Sequence, residues 1–283
     1  MTERENVLIT RSDSSRFSVG WWAPSEPEAP VFVLVPAMGV RARFYRSFAA
    51  ALAATGCGVA VAELRGHEET DPTVPGRRLD FGYAELADDL DAAVDLARAR
   101  APGTPLVVAG HSLGAQVACV SVARRPGRVD ALVFVAAGSV HWRLWPRRFL
   151  ALTQAFVALA AVVGHFPGQR VGFAGREARG VMRDWGRLAR TGRLTYGRPP
   201  MEADRALADL ELPVLVVSIE GDTLAPKPAV DGLAALLPSA HVTRRHLAVG
   251  TSTSPHFGWA RHHEPVVAAV STWSSEWLRS TPH

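Results

Sequence analysis

A serine hydroxyl becomes a useful nucleophile at neutral pH only when a histidine takes its proton and a carboxylate orients that histidine. The chain offers all three groups beside apolar runs. Gly110-His111-Ser112-Leu113-Gly114 stands between Leu106-Val107-Val108-Ala109 and the helix-forming Ala115–Cys119. A serine on such a strand-to-helix turn has its hydroxyl pushed clear of the sheet, and the small glycines on either side let the turn close. Asp222 lies just past the apolar run Val214–Ile219, within Glu220-Gly221-Asp222-Thr223. That is the rim where open α/β sheets bind ligands, although an Asp after Gly also suits a plain turn. Glu220, still on the strand end, ranks below it. His256, in Ser254-Pro255-His256-Phe257-Gly258, reads as a loop residue, and loops carry such groups. Its rivals are His241, His246, His262 and His263; the chain order serine, aspartate, histidine singles out His256. Two backbone donors are expected to hold the oxyanion of a tetrahedral intermediate: the N–H of Leu113 and, by position, the N–H of Met38 in Pro36-Ala37-Met38-Gly39.

The elements that must position these groups alternate between strand and helix, which predicts a mostly parallel sheet with helices on both faces. An opening hairpin is expected from Val7–Thr10 and Phe17–Trp22, followed by the linker Pro24–Pro30. Val31–Val35, Gly58–Glu63, Leu106–Ala109 and Ala131–Ala136 read as buried strands. Phe44–Ala54 and Phe81–Arg100 read as helices. From Val140 to Arg198 no strand signal occurs. There Trp142, Trp145 and several arginines precede the apolar run Phe149–Val163, whose roughly fifteen residues are too few to span a bilayer comfortably. A buried helix is expected there in preference to a membrane-surface helix. Alternation resumes with Pro213–Ile219, a helix near Val230–Leu237, a strand near His241–Leu247 and a last helix from Pro265 to Leu278. The organisation expected is a core of residues 1–138 and 201–283 with a helical lid inserted at 139–200. Trp142 and Trp145 on that lid, with His111 and Phe257 beside the serine and histidine, are the expected substrate contacts.

Composition bounds the function further. The chain has 283 residues, 48% of them hydrophobic and 20% charged, enough to bury a large core. Two cysteines, Cys57 and Cys119, give neither a disulfide framework nor a metal spacing. The charged start Met1-Thr2-Glu3-Arg4 lacks an apolar signal core, so a cytoplasmic location is expected. Net charge is +4 but uneven. Between Ser139 and Pro200 eleven arginines face only Glu177 and Asp184, which marks either a solvated helical face or a surface that meets an anion. No nucleic-acid motif accompanies it, and no cofactor or metal ligand set is suggested.

Taken together, Val35-Pro36-Ala37-Met38-Gly39, Arg65-Gly66-His67, Gly110–Gly114, Gly221-Asp222 and the His256 segment make the chain resemble a serine hydrolase of the α/β-hydrolase superfamily. Pro36-Ala37 stands where that superfamily often has His-Gly, and Glu68-Glu69-Thr70 follows Arg65-Gly66-His67 where Gly-x-Ser is common. The stretch Phe166–Trp185 resembles a bacterial subgroup of lidded hydrolases with no settled substrate. The resemblance implies ester or thioester hydrolysis through an acyl-enzyme on Ser112, with Asp222, His256, Met38 and Leu113 in the roles above. The apolar run Phe149–Val163 suggests a small-molecule substrate with a hydrophobic acyl group, free or held on a carrier or CoA, and the lid arginines suggest an anionic handle on it. Acyl transfer or cyclisation by the same groups, or a non-hydrolytic protein of this fold, are the alternatives.

Overall fold

The computed structural model describes residues 4–26, 28–250 and 254–280; Pro27 of the expected linker lies outside them. The chain opens on the hairpin β1 (Glu5–Thr10) and β2 (Arg16–Trp22). There follow β3 (Val31–Val35), α1 (Arg46–Ala53), β4 (Gly58–Ala62), α2 (Tyr83–Arg100), β5 (Leu106–His111), α3 (Leu113–Arg124) and β6 (Ala131–Val135). Next come α4 (Arg148–Val163), β7 (His165–Pro167), α5 (Gly168–Val171), β8 (Arg176–Ala178), α6 (Arg179–Thr191), β9 (Thr195–Tyr196), β10 (Met201–Glu202) and α7 (Asp204–Ala208). The chain closes with β11 (Pro213–Ile219), α8 (Lys227–Ala234), β12 (His241–Leu247), α9 (Pro255–Gly258) and α10 (Glu264–Ser280).

Eight strands form one sheet in the order β1-β2-β4-β3-β5-β6-β11-β12. Strand β2 runs antiparallel to both β1 and β4, and every other neighbour is parallel. Every residue of β3, β4, β5 and β6 is buried, as continuous apolar strands covered on both faces must be. Side chains alternate across the sheet. Val33 and Val108 join α2, α3 and α8 on one face. Phe32 and Val107 join α1, α10 and Trp259 on the other. The sheet is thus mostly parallel and doubly wound. The winding sets the carboxyl ends of β3, β5 and β11 along one rim, where the chemistry-bearing turns emerge.

Arg65, just past β4, braces that rim. Its guanidinium bonds both oxygens of the buried Asp89 on α2, at 2.7 and 3.0 Å, and reaches Asp13 in the opening hairpin at 2.8 Å. These contacts make Arg65-Gly66-His67 a structural junction.

The segment between β6 and β11 departs from the sequence reading in two ways. It contains two short antiparallel ribbons, β7 with β8 and β9 with β10, and β7, β8 and β9 fall between Val140 and Arg198, where no strand is expected. Strands of two or three residues are too short to leave a period-two pattern. The expected buried helix is also overturned: α4 has only Thr153 and Ala160 buried. An apolar run specifies a helix, but which of its faces is covered depends on distant neighbours.

Candidate active site

Ser112 sits at the junction of β5 and α3 with φ 52° and ψ −116°. A non-glycine residue pays strain to hold this conformation, and such strain concentrates at functional turns. The surrounding glycines are required by space. A Cβ on Gly110 would lie 2.3 Å from the Ala115 nitrogen, and one on Gly114 2.2 Å from the Val35 carbonyl oxygen. The Ser112 N–H donates to the Val135 carbonyl at 3.2 Å and ties the turn to β6. The side chain is half-buried, and among the described residues its hydroxyl has no hydrogen-bond partner.

Asp222 and His256, 34 residues apart in sequence, are brought together. His256 Nδ1 lies 2.8 Å from Asp222 Oδ2. The other carboxylate oxygen, Oδ1, accepts the N–H groups of Leu224 and Ala225 at 2.8 and 3.0 Å. The turn thereby fixes the carboxylate, and both side chains are almost fully buried. His256 lies on the one-turn helix α9 instead of a loop. Its ring centroid is 4.9 Å from that of His111, the residue before Ser112, so the pair meets the serine turn. The rivals lie elsewhere. His246 bonds the Ser218 hydroxyl at 2.8 Å on an exposed edge, and Glu220 is exposed at the strand end.

The turn after β3 packs against the serine turn, where a Cβ on Gly114 would also lie 2.9 Å from the Pro36 carbonyl oxygen. Among the described residues, the N–H groups of Met38 and Leu113 are taken by no other protein group. Gly39, at φ +75°, lets the chain turn beneath the insertion, where Ala174 and Gly175 pack so closely that a Cβ would be 2.4 Å from the Gly175 nitrogen. The turn is held from below by Tyr45, whose hydroxyl accepts the Ala37 N–H at 3.0 Å. The same hydroxyl lies 2.7 Å from His111 Nδ1. With its oxygen accepting from Ala37, the phenol directs its own proton to Nδ1. Nε2 then carries the ring proton. The Trp259 indole N–H, 3.4 Å from Nε2, is too long to compete. Burial, with His256 alongside, pushes the His111 imidazole well below its ordinary range, so the ring is neutral.

The expected substrate contacts divide. His111 is fully buried, so its expectation as a substrate contact is corrected: it lies beneath the serine and braces the turn. Phe257 is half-buried with its ring 4.8 Å from that of His256. Trp145 stacks on Phe149 at 4.3 Å and donates its indole N–H to the Ser139 carbonyl, which is packing within the insertion. Trp142 is half-buried beneath the Arg143 guanidinium. Sequence reasoning missed Tyr45. It also missed a buried bridge between His67 and Glu177 of β8, with Nε2 2.8 Å from Oε1.

The sequence pattern described as serine aminopeptidase, S33, matches residues 26–184, more than half the chain. Among solved structures, Est1E from Butyrivibrio proteoclasticus with bound ferulic acid superposes with a TM-score of 0.68 at 15% identity, covering 97% of this chain and 100% of that one. A thermostable carboxyl esterase from Bacillus coagulans gives 0.67 at 12% identity, with 96% and 99% covered. The thioesterase domain from the curacin biosynthetic pathway gives 0.60 at 16% identity, with 94% and 99% covered. At these identities the likeness is one of fold. Among the described residues no helix is long and apolar enough to cross a membrane. With its eight-stranded, mostly parallel sheet and this match, the chain belongs to the serine aminopeptidase S33 family of the α/β-hydrolase superfamily.

Proposed function

We propose that this protein hydrolyses a carboxylic ester or thioester through an acyl-enzyme on Ser112. The observation that carries the reading is the convergence at one sheet rim of the strained Ser112, the Asp222-oriented His256 and two N–H groups that have no other partner among the described residues. Ser112 Oγ attacks the acyl carbonyl while His256 Nε2 takes its proton. Asp222 holds the imidazole in the required tautomer and stabilises the imidazolium. The carbonyl oxygen, now an oxyanion, sits against the N–H groups of Met38 and Leu113. Collapse breaks the bond to the alcohol or thiol, which leaves with the proton from His256. Water then attacks the acyl-enzyme with His256 as base, releasing the acid and restoring Ser112. Phe257 and Trp142 are proposed to contact the acyl group.

The carboxyl esterase and thioesterase neighbours support oxygen- and sulfur-ester substrates. The family description adds peptides. An aminopeptidase needs a carboxylate for the substrate ammonium, and both carboxylates within residues 139–200 are buried and paired: Glu177 with His67, Asp184 with Arg183. The anionic handle expected for the arginines is also narrowed. Arg179, Arg183, Arg187 and Arg193 already meet carboxylates.

The test is a panel of p-nitrophenyl esters and acyl-thioesters of increasing chain length beside aminoacyl p-nitroanilides. Wild type should turn over the esters or thioesters and be labelled by a fluorophosphonate. Ser112→Ala should lose labelling and drop kcat by about 10⁴-fold or more. Turnover confined to the anilides, or labelling that survives Ser112→Ala, would overturn the proposal. Product analysis with an added alcohol or amine separates hydrolysis from acyl transfer.

A further inference from the structure

We infer that the outer face of α4 is a docking surface for an anionic lipid bilayer. Apart from Arg148, Thr153 and Gln154, all of this sixteen-residue helix is apolar. A helix apolar all round should be covered all round. Here Phe149, Phe156 and Leu159 pack against the core, yet Ala151, Leu152, Ala155, Ala158, Ala161 and Val162 are exposed. Leu152 is 49% exposed and Val162 72%. At 100° per residue, Arg148, Leu152, Ala155 and Val162 lie on one face.

The charge around this face decides its occupant. Residues 139–200 contain two carboxylates, Glu177 and Asp184, and both are buried, so this stretch exposes no carboxylate of its own, and the next one, Glu202, is paired with Arg193. Arg147 and Arg148 stand exposed at the start of α4, with no ion-pair partner among the described residues. Arg77 stands at its end, its guanidinium on the Val162 carbonyl at 2.7 Å. An apolar stripe with arginines at each end fits a layer of acidic headgroups over hydrocarbon. It fits a second copy poorly. Parallel pairing would set Arg147 and Arg148 against themselves, antiparallel pairing would set them against Arg77, and α4 has no carboxylate to relieve either. The helix is too short to cross a bilayer and would lie in its interface.

The test is flotation of the full-length protein with phosphatidylcholine vesicles and with vesicles containing roughly one-third phosphatidylglycerol, at low and high salt. Wild type should float with the anionic vesicles and be released by salt. The paired substitutions Leu152→Glu with Val162→Glu, and Arg147→Glu with Arg148→Glu, should each weaken partitioning by about tenfold or more. Both pairs are exposed, and thermal melting verifies their folding. As an independent readout, Ala155→Cys can be labelled with a polarity-sensitive dye, because Cys57 and Cys119 are buried; its emission should shift to the blue on anionic vesicles. The inference is overturned if wild type ignores anionic vesicles, if the substitutions leave flotation unchanged and the dye unshifted, or if light scattering finds a dimer that Leu152→Glu dissolves.

Discussion

At the scale of single residues, the site is defined by which lone pairs and protons are already engaged. Asp222 gives Oδ1 to two backbone N–H groups and keeps Oδ2 for His256, so the imidazole has one orientation and Nε2 is the nitrogen that the proposed mechanism assigns to the serine. Asp222→Asn preserves the shape but presents an N–H or carbonyl in place of the carboxylate. It should lower kcat by about 10⁴-fold with the fold intact, measured as turnover beside an unchanged melting curve. Tyr45 is a second, less obvious point. It joins the Ala37 N–H to His111, linking the Met38 turn to the serine turn from beneath. Tyr45→Phe leaves that N–H and the His111 ring nitrogen unpaired in a dry site. The expected cost is about 2 kcal/mol of stability, measured by denaturant unfolding. It should also lower kcat more than it raises KM, because in the proposed mechanism the Met38 donor acts chiefly on the transition state. A loss of stability with kcat unchanged would mean that Tyr45 only packs.

At the scale of elements, the insertion is strapped to the core beside the Met38 turn. The strap is the buried pair of His67, from the loop after β4, and Glu177 of β8. Burial lowers the His67 pKa, but Glu177 and then Glu68 outweigh it against the opposing Arg41, so the net shift is upward. A histidine whose pKa is raised by folding contributes stability that is fully present below its unfolded value, near 6.5, and is lost as pH rises through the folded value. The β7–β8 ribbon should therefore exchange its amide protons faster at pH 9 than at pH 6, beyond the intrinsic rate increase, and Glu177→Gln should flatten that difference. Equal protection in the two proteins across this range would refute the strap. This pair also shows where sequence reading ends. Ser112, Asp222 and His256 were legible because glycines, prolines and strand ends mark their turns locally. His67 and Glu177 are 110 residues apart, Tyr45 and His111 are 66 apart, and no local pattern encodes either pairing. The same reason explains α4, whose composition announced a helix and left its partners unstated.

At the scale of the whole molecule, the insertion is bound into the core by buried charge. Asp184 of α6 is fully buried and accepts the Tyr83 N–H at the start of α2 at 3.0 Å, while Arg183 bonds its other oxygen at 3.0 Å and Arg187 lies 3.8 Å away. Gly180 N–H donates to Asp80 at 2.8 Å, and Arg176 reaches the Pro75 carbonyl at 2.7 Å. One carboxylate thus satisfies an orphan donor at the head of a core helix and neutralises cations of the insertion. The aromatic cluster of Phe149, Phe156, Phe166, Phe173 and Trp185 adds apolar contact on the same side. A unit joined in this way should unfold with the core in one cooperative step. Asp184→Ala removes the acceptor and strands two arginines. Breaking a buried pair costs about 3–5 kcal/mol, and since both arginines keep some solvent contact the expected loss is nearer 2–3 kcal/mol. Asp184→Asn keeps an oxygen for the Tyr83 N–H and should lose less. Denaturant unfolding followed by circular dichroism and by tryptophan emission should give coincident transitions for wild type and both variants, with the midpoint lowest for Asp184→Ala. A separate early transition in tryptophan emission, displaced by these substitutions while the circular dichroism midpoint stays put, would mean that the insertion folds on its own and that Asp184 stabilises only its docking.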